Sequence, residues 1–273
     1  MGKTYFKLNF FLYIFALLVC GSCQTYLQLF EIDPATGFYS RNSLPVVIFY
    51  TVLGVVVVFM LLVNRLRVTD NDYPVSQDNR GIPFPALLVG ATLALFVIEG
   101  TGWLPLILPV TGTPLTGVSV WICGILGCLA VLFFLCLGLP GPNKAPALLS
   151  LIPPVWQLVL LVSKFNSYPT LTTVPDNLLT VLFMVAASMF LMGNSRTLYG
   201  FSRKDGQNYT IPAGLITSLL GLLLVVPNYV YAVVMHAPLP APSLGNMESL
   251  YITAMSLYSL ASVIQLRREI AIV

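Results

Sequence analysis

The 273-residue chain is 57% hydrophobic and only 8% charged, which leaves too little polar surface to cover a water-soluble globule of this size. Thirteen Lys and Arg against ten Asp and Glu give a net charge of +3, and the basic residues are scattered along the chain, so the composition excludes a protein with a nucleic-acid-binding patch. It predicts an all-α integral membrane protein in contact with the lipid bilayer.

Apolar runs close to the ~20 residues needed to cross a bilayer recur along the whole chain. Because no connection between them is long enough to fold as a soluble domain, residues 1–273 are predicted to form one polytopic transmembrane bundle of about eight helices. The predicted spans are roughly 5–29, 45–63, 84–99, 117–139, 145–162, 178–196, 211–235 and 249–266.

The first apolar run has a second interpretation. Lys3 and Lys7 precede it, and small residues around Cys20 and Cys23 follow, which is also the pattern of a cleaved signal peptide. Cleavage would leave seven spans and an outside N-terminus. The run continues to Phe30 and so exceeds the ~7–15 apolar residues of a typical signal core. The sequence therefore favours a retained first span.

The basic residues predict how the spans are threaded. With eight spans and an inside N-terminus, eleven of the thirteen Lys and Arg residues fall on inner connections, and only Arg41 and Lys164 fall outside. Lys and Arg near span ends are retained on the cytoplasmic side. The sequence therefore predicts a multi-pass protein of the cell membrane, N-in and C-in, with both termini cytoplasmic.

The third span ends on a carboxylate. Glu99 follows fifteen uncharged residues that begin at Phe84. A carboxylate within a span usually faces a cavity or a partner and is a candidate functional residue. At ~1.5 Å per residue it would lie about 22 Å from Phe84, towards the outer face, where headgroup water also solvates an acid. The sequence leaves an interior site and an interfacial acid open.

Prolines interrupt two later spans. Pro153 and Pro154 lie in the fifth span, and Pro227 lies in the seventh, directly before Asn228. A proline inside a helix removes one backbone donor, and interrupted spans line the substrate sites of many transporters. Asn228 is predicted at the level of Glu99, which makes it a candidate ligand. The alternative is an ordinary kink, with Asn228 bonding a neighbouring helix.

The last span carries hydroxyl side chains at spacings of four, three and three residues, namely Ser249, Thr253, Ser256 and Ser259. This spacing places them along one side of a helix. Such a stripe either lines a polar passage or packs against another helix through small residues, and the sequence favours packing. Glycines in the third, fourth and seventh spans also favour close helix packing and a compact bundle.

The sequence shows no signature of an enzyme or of a cofactor site. Its single histidine, His236, excludes HExxH zinc sites and histidine clusters. No phosphate-binding glycine loop and no G-x-S-x-G motif occurs, which removes the usual nucleotide cradles and the serine nucleophile elbow. We therefore predict no catalytic residue, no metal and no cofactor. An intramembrane enzyme of an unrecognised type stays an open alternative.

Two functional hypotheses fit this pattern. The first is a binding or permeation module for a small solute with an outward pocket. Its candidate ligand-binding residues are Glu99, Asn228, Gln24, Thr253 and His236. The second is a non-catalytic membrane subunit or scaffold. Its glycine-containing helix faces and its apolar, proline-rich outer connections at 104–116 and 236–245 would contact a membrane protein partner or a second copy of the chain.

Overall fold

Eight α-helices and a short 3-10 helix make up the computed structural model of the protein, which describes residues 2–31, 44–65, 82–102, 118–139, 146–167, 175–199, 203–235 and 246–272. The helices are α1 (Gly2–Phe30), α2 (Leu44–Arg65), α3 (Pro83–Thr101), α4 (Val118–Gly138), α5 (Ile152–Ser167), α6 (Pro175–Tyr199), α7 (Arg203–Met235) and α8 (Asn246–Ile272). These residues contain no strand and eight helical segments long and apolar enough to cross a membrane. Over the described ranges, the all-helical prediction and the count of eight are confirmed.

Six of the helices form a closed ring. α3 packs on α4, α4 on α5, α5 on α6, α6 on α7 and α7 on α8, and α8 returns to α3. The remaining two lie outside it, with α1 packed along α7 and α2 packed on α1 and, less extensively, on α7. Among the candidate spans, α7 is therefore the most buried. Side chains of α3, α5 and α8 meet inside the ring.

Neighbouring helices in the ring run antiparallel. Along the contact of α7 with α8, for example, Gly214 faces Val263 and Gly221 faces Ser256. α1 runs parallel to α7, because residues further along α1 bond residues further along α7. The C-terminal ends of α1, α3, α5 and α7 and the N-terminal ends of α4, α6 and α8 thus lie at one end of the bundle. We call this the Glu99 end.

The hydroxyl stripe of α8 serves helix packing. Ser249, Ser256 and Ser259 are buried, and each donates a hydrogen bond to a carbonyl of α8 itself. Ser256 lies against Gly221 of α7, where an added Cβ would collide with the Ser256 hydroxyl. Of the two interpretations of the stripe, the contacts support close packing of small residues.

The prolines of the fifth span begin a helix and do not break one. α5 starts at Ile152, so Pro153 and Pro154 occupy its first turn, where a backbone N–H has no intrahelical partner to lose. A 3-10 helix, Ala147–Leu151, leads directly into it. Pro227, by contrast, lies inside α7, which continues to Met235.

Candidate functional site

A buried ion pair joins α5 to α8. Lys164 Nζ lies 2.8 Å from Glu248 Oε2, and each side chain is only 3% exposed. Lys164 is in the last turn of α5 and Glu248 in the first turn of α8, so each charge also interacts favourably with the dipole of its own helix. Because removing an ion from water costs several kcal/mol, a pair buried this deeply is a candidate functional site.

Aromatic and amide side chains form a layer beneath the ion pair. The Tyr251 hydroxyl donates to Gln157 Oε1 at 2.8 Å. The Tyr251 ring stacks on Phe96, with centroids 5.7 Å apart and planes 10° apart, and lies perpendicular to Trp156 at 5.5 Å. On α5 and α8 the layer lies seven and three residues from the ion pair, which places both on the same helix faces. We call these four side chains the aromatic layer.

α4 fixes the position of the indole in this layer. Trp156 Nε1 donates to the Cys123 carbonyl at 3.1 Å, and the side chain is fully buried. Gly127 provides the space for the ring, since an added Cβ there would lie 3.1 Å from the indole nitrogen and 2.5 Å from Val97. The layer is therefore held by α4 as well as by the three helices that form it.

Glu99 lies at the level of the ion pair. It is one turn beyond Phe96 on α3, and Glu248 is one turn before Tyr251 on the antiparallel α8. Because Phe96 stacks on Tyr251, both carboxylates lie about 4.5 Å further towards the Glu99 end. The Glu99 side chain is 3% exposed, so the structure places it inside the bundle. Three ionisable side chains from three helices thus lie at one level. We call these three, Glu99, Lys164 and Glu248, the Glu99 cluster.

Two polar atoms, one in the ion pair and one in the aromatic layer, have no hydrogen-bond partner among the described residues. They are Glu248 Oε1 and Gln157 Nε2, an acceptor and a donor. Both side chains are buried, and a buried polar atom without a partner costs ~1–3 kcal/mol. A guest that supplies both a donor and an acceptor would therefore be stabilised at this site.

The structure separates two of the predicted ligands from Glu99. Gln24 and Asn228 lie at the contact of α1 with α7, where Gln28, one turn after Gln24, donates to Asn228 Oδ1 at 3.1 Å. α3 packs instead on α4 and α8. Glu99 and Asn228 were expected at the same depth along their helices, but they lie at different helix contacts and do not form one cluster. Asn228 accepts a hydrogen bond from the neighbouring helix α1, in agreement with the second of the two roles considered for it.

The other two predicted ligands do not join the Glu99 cluster in the described part of the chain. Thr253 is half-buried, and its hydroxyl donates to the Ser249 carbonyl at 2.8 Å. Thr253 is two residues after Tyr251 and so projects from a different side of α8. His236 and the proline-rich connections at 104–116 and 236–245 lie outside the residues that the structure describes.

Lys164 and Glu248 were not predicted as site residues. From the sequence Lys164 is a cation on an outer connection, whereas the structure places its side chain in the bundle interior. A signal was present in the spacing. Gln157 and Lys164 are seven residues apart, and Glu248 and Tyr251 are three apart, so each helix presents a polar pair on one face. Nothing in the sequence showed that the two faces meet.

Comparison with known proteins does not assign a function. No protein-family model, curated protein or solved structure matches the chain. Within the described ranges, no group of three or more His, Cys, Asp and Glu side chains is arranged to hold a metal ion. The geometry of the Glu99 cluster therefore carries the functional proposal.

Proposed function

We propose that the protein is an eight-span cell-membrane protein that binds a small zwitterionic solute at Glu99, Lys164 and Glu248. The observation that carries the proposal is the Lys164–Glu248 pair, buried at the level of Glu99. A zwitterion supplies a carboxylate for the lysine and an ammonium group for a glutamate, and such charge-assisted hydrogen bonds are strong. Charged side chains within spans are costly, and membrane proteins retain them mainly for binding and transport.

The aromatic layer favours binding over permeation in this conformation. Its side chains fill the ring interior beneath the ion pair, and a second group of rings, Phe134, Phe190 and Tyr258, fills the next level. A solute that enters from the Glu99 end would stop on the first layer. Passage through the ring would require both groups of rings to move.

The substitution Glu99→Gln tests the site. Glutamine keeps the shape of glutamate and removes its charge, so we expect the Kd of a zwitterion to rise about tenfold, which corresponds to ~1.4 kcal/mol. Free amino acids and betaines are first screened for a thermal shift of the purified protein. The affinity of the strongest compound is then measured by calorimetry for the wild type and the variant.

Glu31→Gln is the matched control, because Glu31 follows α1, which lies outside the six-helix ring. The Kd of the zwitterion for the Glu31→Gln protein should equal that for the wild type. The proposal is wrong if no zwitterion in the panel stabilises the wild-type protein, or if folded Glu99→Gln protein binds with unchanged affinity.

We also propose the N-in and C-in threading. The Lys164 ion pair supports it, because a lysine that is buried and paired inside the bundle does not count as a free cation on an outer connection. Arg41 then remains as the one basic residue on the outer side, against eleven inside. This distribution agrees with retention of Lys and Arg on the cytoplasmic face.

Cysteine labelling tests this threading. In a background without the five native cysteines, a single cysteine at Lys144 or at Arg203 should resist a membrane-impermeant maleimide added to intact cells, and a cysteine at Arg41 should react. All three should react after permeabilisation. Opposite results for Lys144 and Arg203 would show that the spans between them are miscounted.

The scaffold hypothesis depends partly on the proline-rich connections at 104–116 and 236–245, which are outside the described residues. It also depends on glycine faces, and Gly90, Gly127, Gly214 and Gly221 pack against other helices of the same chain. Among the described residues, Glu99, Lys164 and Glu248 carry their charges in the bundle interior. An interior charged cluster supports a solute site more directly than a surface for a partner protein.

A further inference from the structure

A row of polar side chains follows one face of α1. Its polar members are all buried and recur at helical spacing, namely Asn9, Tyr13, Gln24 and Gln28, and the buried thiol of Cys20 lies on the same face. At ~1.5 Å per residue the row is about 28 Å long, close to the ~30 Å thickness of the hydrocarbon core of a bilayer. The opposite side of α1 exposes large apolar side chains. The polar face is therefore directed towards the rest of the bundle.

This polar face lies against α7. The Tyr13 and Ser218 hydroxyls are 2.9 Å apart. Further along, Gln28 Nε2 donates to Asn228 Oδ1 at 3.1 Å, and Asn228 Nδ2 donates to the Leu224 carbonyl at 2.7 Å. Side-chain hydrogen bonds thus connect α1 to α7 at two separate levels of the row. We call this contact the α1–α7 seam.

The seam contains amide atoms that lack hydrogen-bond partners. Among the described residues, both amide atoms of Gln24, Oε1 of Gln28 and Oδ1 of Asn9 have none. Gln24 is fully buried, at 0% exposure. An amide without a partner is costly in an apolar environment, and in a bilayer core polar groups have no bulk water to replace the missing bonds.

A backbone acceptor lies at the same level. Pro227 has no N–H to donate to the Leu223 carbonyl. Leu223 lies close to α1, because a Cβ added at Gly21 would be 3.8 Å from Leu223 Cδ2. Gly21 is one turn before Gln24. The seam therefore combines side-chain acceptors, one amide donor and a carbonyl released by the proline. A complementary group must both donate and accept hydrogen bonds.

We infer that the α1–α7 seam binds water molecules at Gln24 and at Asn9. Water donates and accepts hydrogen bonds, and buried waters typically satisfy polar groups that the protein leaves open. An apolar guest would leave these amides unsatisfied, and an ion would lack an opposite charge in the row. The seam would bring water into the bundle outside the ring, on a path separate from the aromatic layer and independent of the solute site.

Hydroxyl-radical footprinting in ¹⁸O-labelled water tests this inference. X-ray pulses generate radicals from bound water in place, and mass spectrometry detects ¹⁸O on the side chains that touch it. Cys20 and Tyr13 are native reporters within the seam. In lipid nanodiscs we expect both to incorporate ¹⁸O, whereas the buried α6 residues Met184 and Phe183, of comparable chemistry, should remain unmodified.

The variant Gln24→Met keeps the length of the side chain and removes its polar atoms. We expect ¹⁸O on Cys20 to fall to the level of Met184, while Tyr13, near Asn9, stays labelled. Thr25→Val is the control, because the Thr25 hydroxyl donates to the Gly21 carbonyl of its own helix, and it should leave Cys20 labelled.

Two outcomes would overturn the inference. If Cys20 and Tyr13 of the wild-type protein both carry no more ¹⁸O than Met184 and Phe183, the seam is dry, and no variant is needed to show it. If Cys20 is labelled equally in folded Gln24→Met protein, Gln24 does not hold the water. The wild-type measurement decides the first point even if the variant fails to fold.

Discussion

Replacing Lys164 with methionine is expected to lower the free energy of unfolding by about 3–5 kcal/mol. Methionine keeps the length of the side chain but leaves the Glu248 carboxylate buried without its ammonium partner. The loss is measured by reversible unfolding in mixed micelles, followed by tryptophan fluorescence, since Trp156 lies in the layer beneath the pair. Lys7→Met, at an exposed position of α1, should change stability by less than ~0.5 kcal/mol.

The double variant Lys164→Met and Glu248→Gln separates stability from binding. Replacing both members of a buried ion pair by hydrophobic side chains of similar volume is often close to neutral. Glutamine is polar but removes the unpaired charge of Glu248, so part of the lost stability should return. Binding of the zwitterion should remain lost, because the ammonium group of the site is absent. If the single variant is as stable as the wild type, or the double variant as unstable as the single, Lys164 and Glu248 are not a buried pair.

Replacing Gly221 with alanine is expected to cost about 1–3 kcal/mol, the usual effect of overpacking. The added Cβ would collide with the Ser256 hydroxyl and lie 3.0 Å from Phe183, so α7 would have to move away from α8 or α6. The free energy of unfolding is measured as for Lys164. Adding Ser256→Ala removes the colliding oxygen and should recover part of the loss.

Gly54→Ala on α2 is the matched control for Gly221. No atom lies within 4 Å of a Cβ added at Gly54, so the higher helix propensity of alanine should raise stability by up to ~1 kcal/mol. The same substitution is thus expected to have opposite signs at the two glycines. Equal effects would show that close approach of α7 to α8 does not limit the residue at position 221.

The sequence alone determined the class of this protein and its eight helices. A helix long enough to span a bilayer depends on the length of an apolar run, which is a local property of the chain. The same local information identified Glu99 as an unusual carboxylate within such a run and indicated that small residues would pack helices closely. It gave the wrong role to Pro153 and Pro154, because the start of α5 at Ile152 depends on the preceding 3-10 turn.

Only the tertiary structure decided which polar residues meet. Lys164 and Glu248 are 84 residues apart in the chain, and Gln28 and Asn228 are 200 apart. Each side chain taken alone is compatible with a span end or with an ordinary interhelical contact. Closure of the ring, in which α8 returns to α3, brings Glu99 to the level of the ion pair, whereas Asn228 faces α1. The energy of a buried polar group depends on its partner, and that partner is set by long-range packing that spacing along one helix does not contain.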